Sequence, residues 1–391
     1  MAAKTWTLTD VDRDVYLDAF DIDPGEFGST ATFRLRKRTL RGGLRDGVDV
    51  IEIGNGVCRF AIVPTRGMGL WKGWLGEMPV GWNSPVRGPV HPAHVPLAEA
   101  SGLGWLSGFD ELLVRCGLAS NGAPEFDEHH NLVHPLHGHI ANLPAHKVEV
   151  TVDGDSGAIT VTGEVDECRV HFQKLRLTTT YHLAPAANGL QIRDRVTNLS
   201  AEPGEMQMLY HINFGPPLLD AGAKLVAPVK HLVPRNAHSA QGIAGWDSYA
   251  AGQPGYVEQV YLFELAAGED GRTSVLLKNA HGTAAAGLHF NTRQLPCFSQ
   301  WKNTVSEQDG YVTGLEPGTN FPNPRSYEAQ HRRVVKLSPG GTAEFDIDLA
   351  LYDQADQIAE AQQAIVRIQE QAEPQIHDRP QRGWTADVAE G

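Results

Sequence analysis

Positive charge, cysteine, helical periodicity and long apolar runs are all scarce in this 391-residue chain. Lys and Arg total 33 against 47 Asp and Glu, a formal net charge of −14. That balance argues against a nucleic-acid footprint and against binding to an anionic membrane surface. The four cysteines, Cys58, Cys116, Cys168 and Cys297, stand singly. Their spacing supplies neither a disulfide framework nor a CxxC metal motif, which fits thiols in a reducing compartment. Apolar runs such as Val275–Leu277 fall far short of the ~20 residues a membrane-spanning helix needs. The opening MAAKTWTLTDVDRD has no basic start followed by an apolar stretch, so the expected location is cytoplasmic. No G-x-S-x-G, no phosphate-binding loop and no dinucleotide fingerprint is present, so no cofactor is expected.

What the chain does have is punctuation. Gly 41 plus Pro 24 gives 65 of 391 residues, recurring every ten or so positions between runs of alternating polarity. Residues 148–152 and 158–162 alternate about an Asp/Gly-rich turn, a hairpin pattern. Residues 174–183 and 189–198 form a longer pair, and 50–53 and 58–63 another about Gly54-Asn55-Gly56. One stretch, 354–371, has helical spacing, with Ile358, Ala361, Ala364, Ile365 and Ile368 on one stripe. Some twenty short strands without βαβ alternation predict an all-β fold, a large antiparallel sandwich of two packed sheets with a C-terminal helix. Residues 1–45 read as an N-terminal extension packed on the main domain, 46–352 as that domain, 353–372 as the helix and 373–391 as a loose tail. Residues 91–116, rich in Gly, Pro and Trp, read as a structured loop or short helix across a site.

Three segments carry polar residues where strand patterning expects apolar ones. In Leu209–Gly215, His211 and Asn213 are two apart and so share one strand face. A histidine held in such an apolar wall is a candidate proton carrier, because its pKa lies nearest neutrality. The placement equally suits a core histidine satisfied by a backbone carbonyl. In Gly314–Pro322, Glu316 ends a strand-like run ahead of a Pro-Gly turn, and Asn320 follows. Restricted hydration there raises a carboxyl toward a useful base, whereas a surface turn leaves it ordinary. Gln300, Trp301 and Lys302 offer an aromatic face with hydrogen-bonding neighbours, as a sugar ring requires, or else an ordinary strand with Trp301 in the core. The third segment, Leu136–Asn142, ends a histidine-rich stretch containing His129, His130, His134, His137 and His139. No HExxH accompanies it, so hydroxyl recognition by His137 and His139 is preferred to metal binding. Arg66, before a Gly turn, offers a fork of donors to substrate oxygens or to a surface salt bridge.

Several of these segments, in order, resemble the aldose 1-epimerase (galactose mutarotase-like) superfamily, and within it the DUF4432 branch. The residues are Pro64–Met68, Cys116–Leu118, Leu136–Gly138, His211–Leu219, Gln300–Lys302 and Leu315–Gly318. The resemblance spans roughly residues 50 to 350. It implies a β-supersandwich, no cofactor, and a small sugar as partner, with a homodimer among the assemblies left open. It also implies that His211 is general acid and Glu316 general base in opening a cyclic hemiacetal. His137 would bind hydroxyls, Arg66 would contact substrate, and Asp247 would match the family's substrate-binding aspartate. Two other outcomes remain open: a related sugar isomerase, epimerase or lyase acting on an open-chain or keto sugar, and a non-catalytic carbohydrate-binding protein.

Overall fold

The alternation seen in the sequence becomes one face of a sheet. In the strands Ile159–Cys168, Lys174–Leu183, Gly189–Asn198 and Thr342–Tyr352, every second residue is buried over most of the length. Val161, Leu177, Ile192 and Ile347 are typical, all 1 % exposed or less. Period-2 patterning puts these side chains on one face and the Thr, Arg and Asp between them in water. These strands form the middle of a ten-stranded antiparallel sheet. The computed structural model describes residues 3–27 and 29–388.

Packed on it is a sheet of fourteen strands, antiparallel except where Gln375–Ile376 joins. Its middle strands behave differently. Leu113–Leu118 and Val312–Gly318 are buried at every position, and Gly204–Phe214 at all but one. They are covered on both faces. Inward, Met208, Tyr210, Ile212, Phe214 and Leu315 join the large core between the sheets. Outward, Leu209, Val114, Cys116 and Val312 pack under a layer of loops that brings Trp82, Trp105 and Phe109 down on the sheet. Burying a large aromatic side chain contributes roughly 1.5–3 kcal/mol, so this loop layer is firmly seated.

Within that layer, residues 91–116 form two short 3₁₀ turns, Pro92–His94 and Gly104–Gly108, before entering the strand Leu113–Leu118. The first 45 residues, expected as an extension, thread through both sheets. Lys4–Asp10 pairs with Lys147–Val152 in the smaller one, and Arg34–Thr39 pairs with Asp49–Gly54 in the larger. The predicted helix runs Ala355–Gln369 and buries Ile358 and Ile365 against Leu276 and Ala285. The tail, expected to be loose, is docked over its described part. Trp384 stacks on Phe321 with ring centroids 5.0 Å apart, and Asn323 and Tyr327 hydrogen-bond to the backbone of Trp384 and Thr385. Its one tryptophan outweighs its polar, proline-broken composition, because it enters a ready apolar notch beside Cys297 and Val260. No helix among the described residues is long and apolar enough to cross a membrane.

Candidate active site

Strand register does the assembling. Gly204–Phe214 pairs with Val312–Gly318 so that Leu209 meets Gly318 and Ile212 meets Leu315. His211 therefore lies across from Glu316. The strand Cys297–Asn303 continues the row, setting Ser299 opposite Glu316. All three side chains project from the outer face of the large sheet. The sequence suggested that Glu316 closes a strand. It sits inside one, because the strand runs on through Pro317 and Gly318. Proline has no N–H to give to a ladder, and the paired positions between these two strands skip from Leu209–Gly318 to Ile212–Leu315.

His211 Nε2 and Glu316 Oε1 are 3.2 Å apart, and both side chains are about 95 % buried. Nothing separates them, so no substrate-wide gap divides the two groups. The cavity lies over the pair instead. Gly314 keeps this arrangement possible, since a Cβ there would sit 2.7 Å from Glu316 Oε1 and 2.8 Å from His211 Cε1. Burial pushes the Glu316 carboxyl up to about 8 and the His211 imidazole down to about 3. At neutral pH the two groups accordingly hold one proton between them.

The tautomer of His211 is fixed from behind. Asn213 Nδ2 donates to the backbone oxygens of Glu111, at 3.0 Å, and of His211, at 3.1 Å. Its Oδ1 is left as acceptor for His211 Nδ1–H at 2.6 Å. Nε2 is then the atom that gives or takes the shared proton. Glu111 is itself held by Arg66. That guanidinium, 1 % exposed, donates to Glu111 Oε1 at 2.5 Å, Asn142 Oδ1 at 2.8 Å, Gly108 O at 3.0 Å and Val90 O at 3.1 Å. Arg66, expected to touch substrate, instead ties four segments of the loop layer together beneath the cavity.

His137 closes another side. Its ring stands 5.4 Å from that of His211 and 4.6 Å from that of Trp105. Nδ1 donates to Asn121 O at 2.9 Å, which leaves Nε2 as an acceptor, and burial holds the ring neutral, its pKa lowered to about 4. The backbone pays for this placement with left-handed φ of +59° at His137 and +72° at Gly138. At Gly138 a Cβ would lie 2.0 Å from Ser120 O, so only glycine fits. Asn320 is buried in a reciprocal amide pair with Asn121, at 2.7 and 2.9 Å, behind His137.

The cavity over these groups has a volume of about 340 Å³. His137, His211, Glu316 and Trp301 line it, as do Trp105, Phe109, Arg235 and Glu258, which sequence reasoning did not single out. Phe109 stands 5.1 Å from His211 and 6.1 Å from Trp301, ring centroid to centroid, so the aromatic wall is continuous. Arg235 and Glu258 are partly exposed at the open end, with Arg235 also paired to Asp387 at 3.3 Å.

Four other sequence candidates lie elsewhere. Gln300 and Lys302 alternate with Trp301 and so face the opposite side of the sheet. There Gln300 donates to Tyr249 Oη and Trp246 O, and Lys302 to the backbone oxygens of Gly245 and Ser248. Asp247 is a partly exposed partner of Lys224 at 3.1 Å. His139 is half-buried and does not line the cavity. His129 and His130 are exposed, and no group of three metal-ligating side chains forms among the described residues.

The two packed antiparallel sheets form a galactose mutarotase-like β-supersandwich. The chain belongs to the DUF4432 family, a domain of unknown function whose model matches residues 45–351. Among solved structures, a protein from Klebsiella pneumoniae provisionally named an aldose 1-epimerase is 32 % identical, with TM-score 0.94 and 100 % of both chains covered. A galactose mutarotase-like protein from Clostridium acetobutylicum is 14 % identical, with TM-score 0.55 over 83 % of this chain and 99 % of its own. A galactose 1-epimerase from Lactobacillus acidophilus is 14 % identical, with TM-score 0.52 over the same shares. The last two share the fold alone. No curated protein matches.

Proposed function

We propose that this protein is an aldose 1-epimerase, exchanging the anomers of a sugar by opening and reclosing its cyclic hemiacetal. The observation that carries the reading is the 3.2 Å contact between His211 Nε2 and Glu316 Oε1 on the cavity floor. The two oxygens on an anomeric carbon are geminal. A base for one and an acid for the other must therefore stand close together, as this cross-strand pair does.

As substrate binds, the shared proton passes from Glu316 to His211 Nε2, and Glu316, now a carboxylate, takes the proton of the anomeric hydroxyl. His211, protonated at Nε2, gives its proton to the ring oxygen. The bond from C1 to the ring oxygen breaks, and C1 becomes a carbonyl. After rotation about C1–C2 the steps run backward on the other face. The pair begins and ends with one proton, so no cofactor or external acid takes part. Asn213 keeps Nδ1 protonated throughout, and the aromatic wall excludes water. Each positioned proton carrier is commonly worth ~10²–10⁴ in rate.

The test is anomer exchange measured by NMR across a panel of free sugars. The protein should accelerate exchange for at least one of them, and Glu316→Gln should remove most of that acceleration. An unchanged rate in the variant would sink the mechanism. Running the reaction in deuterated water separates it from isomerisation at C2. Mutarotation leaves carbon-bound hydrogen in place, whereas proton abstraction beside a carbonyl exchanges it.

A further inference from the structure

We infer that the cavity selects a neutral, hydroxyl-poor aldose, a deoxy sugar, over fully hydroxylated hexoses, uronic acids and sugar phosphates. The inference rests on the proposed function for its reaction and on the composition of the cavity wall for its substrate class.

Consider first charge. Among the described residues the only guanidinium on the wall is that of Arg235, and it already faces two carboxylates, Asp387 at 3.3 Å and Glu258 at 3.9 Å. Glu316, the remaining acidic group on the wall, shares one proton with His211, so the wall offers no unpaired positive charge. An anionic sugar would meet carboxylates with no free cation to balance it, which disfavours it as a like-charge contact. Lys302, a cation among the sequence candidates, is on the far side of the sheet, held by backbone oxygens.

Consider next hydrogen bonding. Ten of the fifteen lining residues carry hydrocarbon or aromatic side chains. The acid–base pair is committed to the anomeric and ring oxygens. What remains inside is His137 Nε2 and the Trp105 indole N–H, which is buried and has no partner. Arg235 and Glu258 stand at the open end. Leu103, Leu106, Leu136, Pro124 and Pro322 also line the wall, with no polar side-chain atom among them. A hydroxyl pressed against these residues loses its water and gains no partner. A C–H or methyl group in the same place loses nothing. Aromatic faces such as Trp301 and Phe109 likewise favour C–H-rich ring faces. Rejection of a hydroxyl by apolar side chains is moderate rather than absolute, so the preference should be graded.

The experiment uses matched pairs: 2-deoxy-D-ribose against D-ribose, L-fucose against D-galactose, and D-galacturonate as the anionic member. Anomer exchange gives kcat/KM, and quenching of tryptophan fluorescence gives affinity independently of turnover. The deoxy member of at least one pair should exceed its parent by about tenfold in both, with galacturonate weakest. Leu106→Asn, at a rim position 46 % exposed, should narrow that ratio toward one by giving the hydroxyl a partner. Equal or better binding and exchange by the parent sugars, or by galacturonate, overturns the inference and leaves the proposed function standing. Deoxy-selective binding without any exchange supports the inference and removes the proposed function. No binding and no exchange with any sugar overturns both.

Discussion

Two buried acid–base pairs stand back to back across one strand of the large sheet. Tyr210 points into the core, where its hydroxyl donates to Asp194 at 2.7 Å. Its neighbour His211 points outward to Glu316. Asp194 receives Arg115 twice, at 2.5 and 3.0 Å, and Arg115 also reaches Tyr181 Oη and Met68 O at 3.0 and 2.9 Å. The guanidinium has four of its five N–H donors engaged, and both side chains of the ion pair are fully buried. The outer pair has the opposite character. One contact joins two weak, oppositely shifted groups whose shared proton has somewhere to go. A permanent charge tied down by four hydrogen bonds holds a structure together. A mobile proton on a cavity wall performs chemistry.

The comparison is sharpest where one side is broken. Glu316→Gln should reduce anomer exchange by roughly 10²–10⁴-fold while leaving thermal unfolding close to that of the parent protein. Asp194→Ala should do the reverse. Removing one partner of a buried pair costs about 3–5 kcal/mol, read as a lowered midpoint of chemical denaturation. If the two variants showed each other's phenotypes, the division of labour would be wrong. Next in size is Asn213→Ala. Losing the acceptor that fixes His211 Nδ1–H should cost about 1–3 kcal/mol in the barrier, roughly fivefold to 150-fold. The loss should appear in kcat, with KM little changed.

Titration gives a gentler test. The outer pair works with one proton, and its Glu316 carboxyl is pushed up to about 8 by burial. Exchange activity should therefore decline as pH rises through about 8, when that proton leaves. The sign for stability agrees. A raised carboxyl pKa gives a contribution complete below the ordinary value near 4.5 and lost as pH climbs through about 8. Glu316→Gln should flatten that alkaline loss, measured as unfolding midpoint against pH. The smallest effect is expected from Lys302→Met. Facing away from the cavity, it should leave KM for any sugar unchanged, and a raised KM would put Lys302 on the wrong side of the sheet.

The same two faces explain what could be read in the sequence. Strands of the ten-stranded sheet have one face in water, so their alternation is visible, and the pair 174–183 with 189–198 forms as its pattern indicates. The central strands of the larger sheet are covered on both sides, so polarity no longer reports direction. Gln300, Trp301 and Lys302 look equally available there. Only strand parity, applied strictly, separates the tryptophan in the cavity from its two neighbours. His211, His137 and Glu316 were legible as polar interruptions in apolar runs. Arg66 was legible as important but not as a brace, because its partners Glu111 and Asn142 lie 45 and 76 positions away. Arg235 and Glu258 gave no signal, since nothing local distinguishes them from ordinary surface charges.

The docked tail has its own consequence. Asp387 completes the charge pattern around Arg235, and Trp384 leans on the residue preceding Pro322 in the cavity wall. The doorway is thus shaped in part by a segment that lies outside the sandwich itself. A protein shortened at residue 372 would retain its proton-exchanging floor yet greet sugars with an altered threshold, including an Arg235 released from one of its two carboxylates.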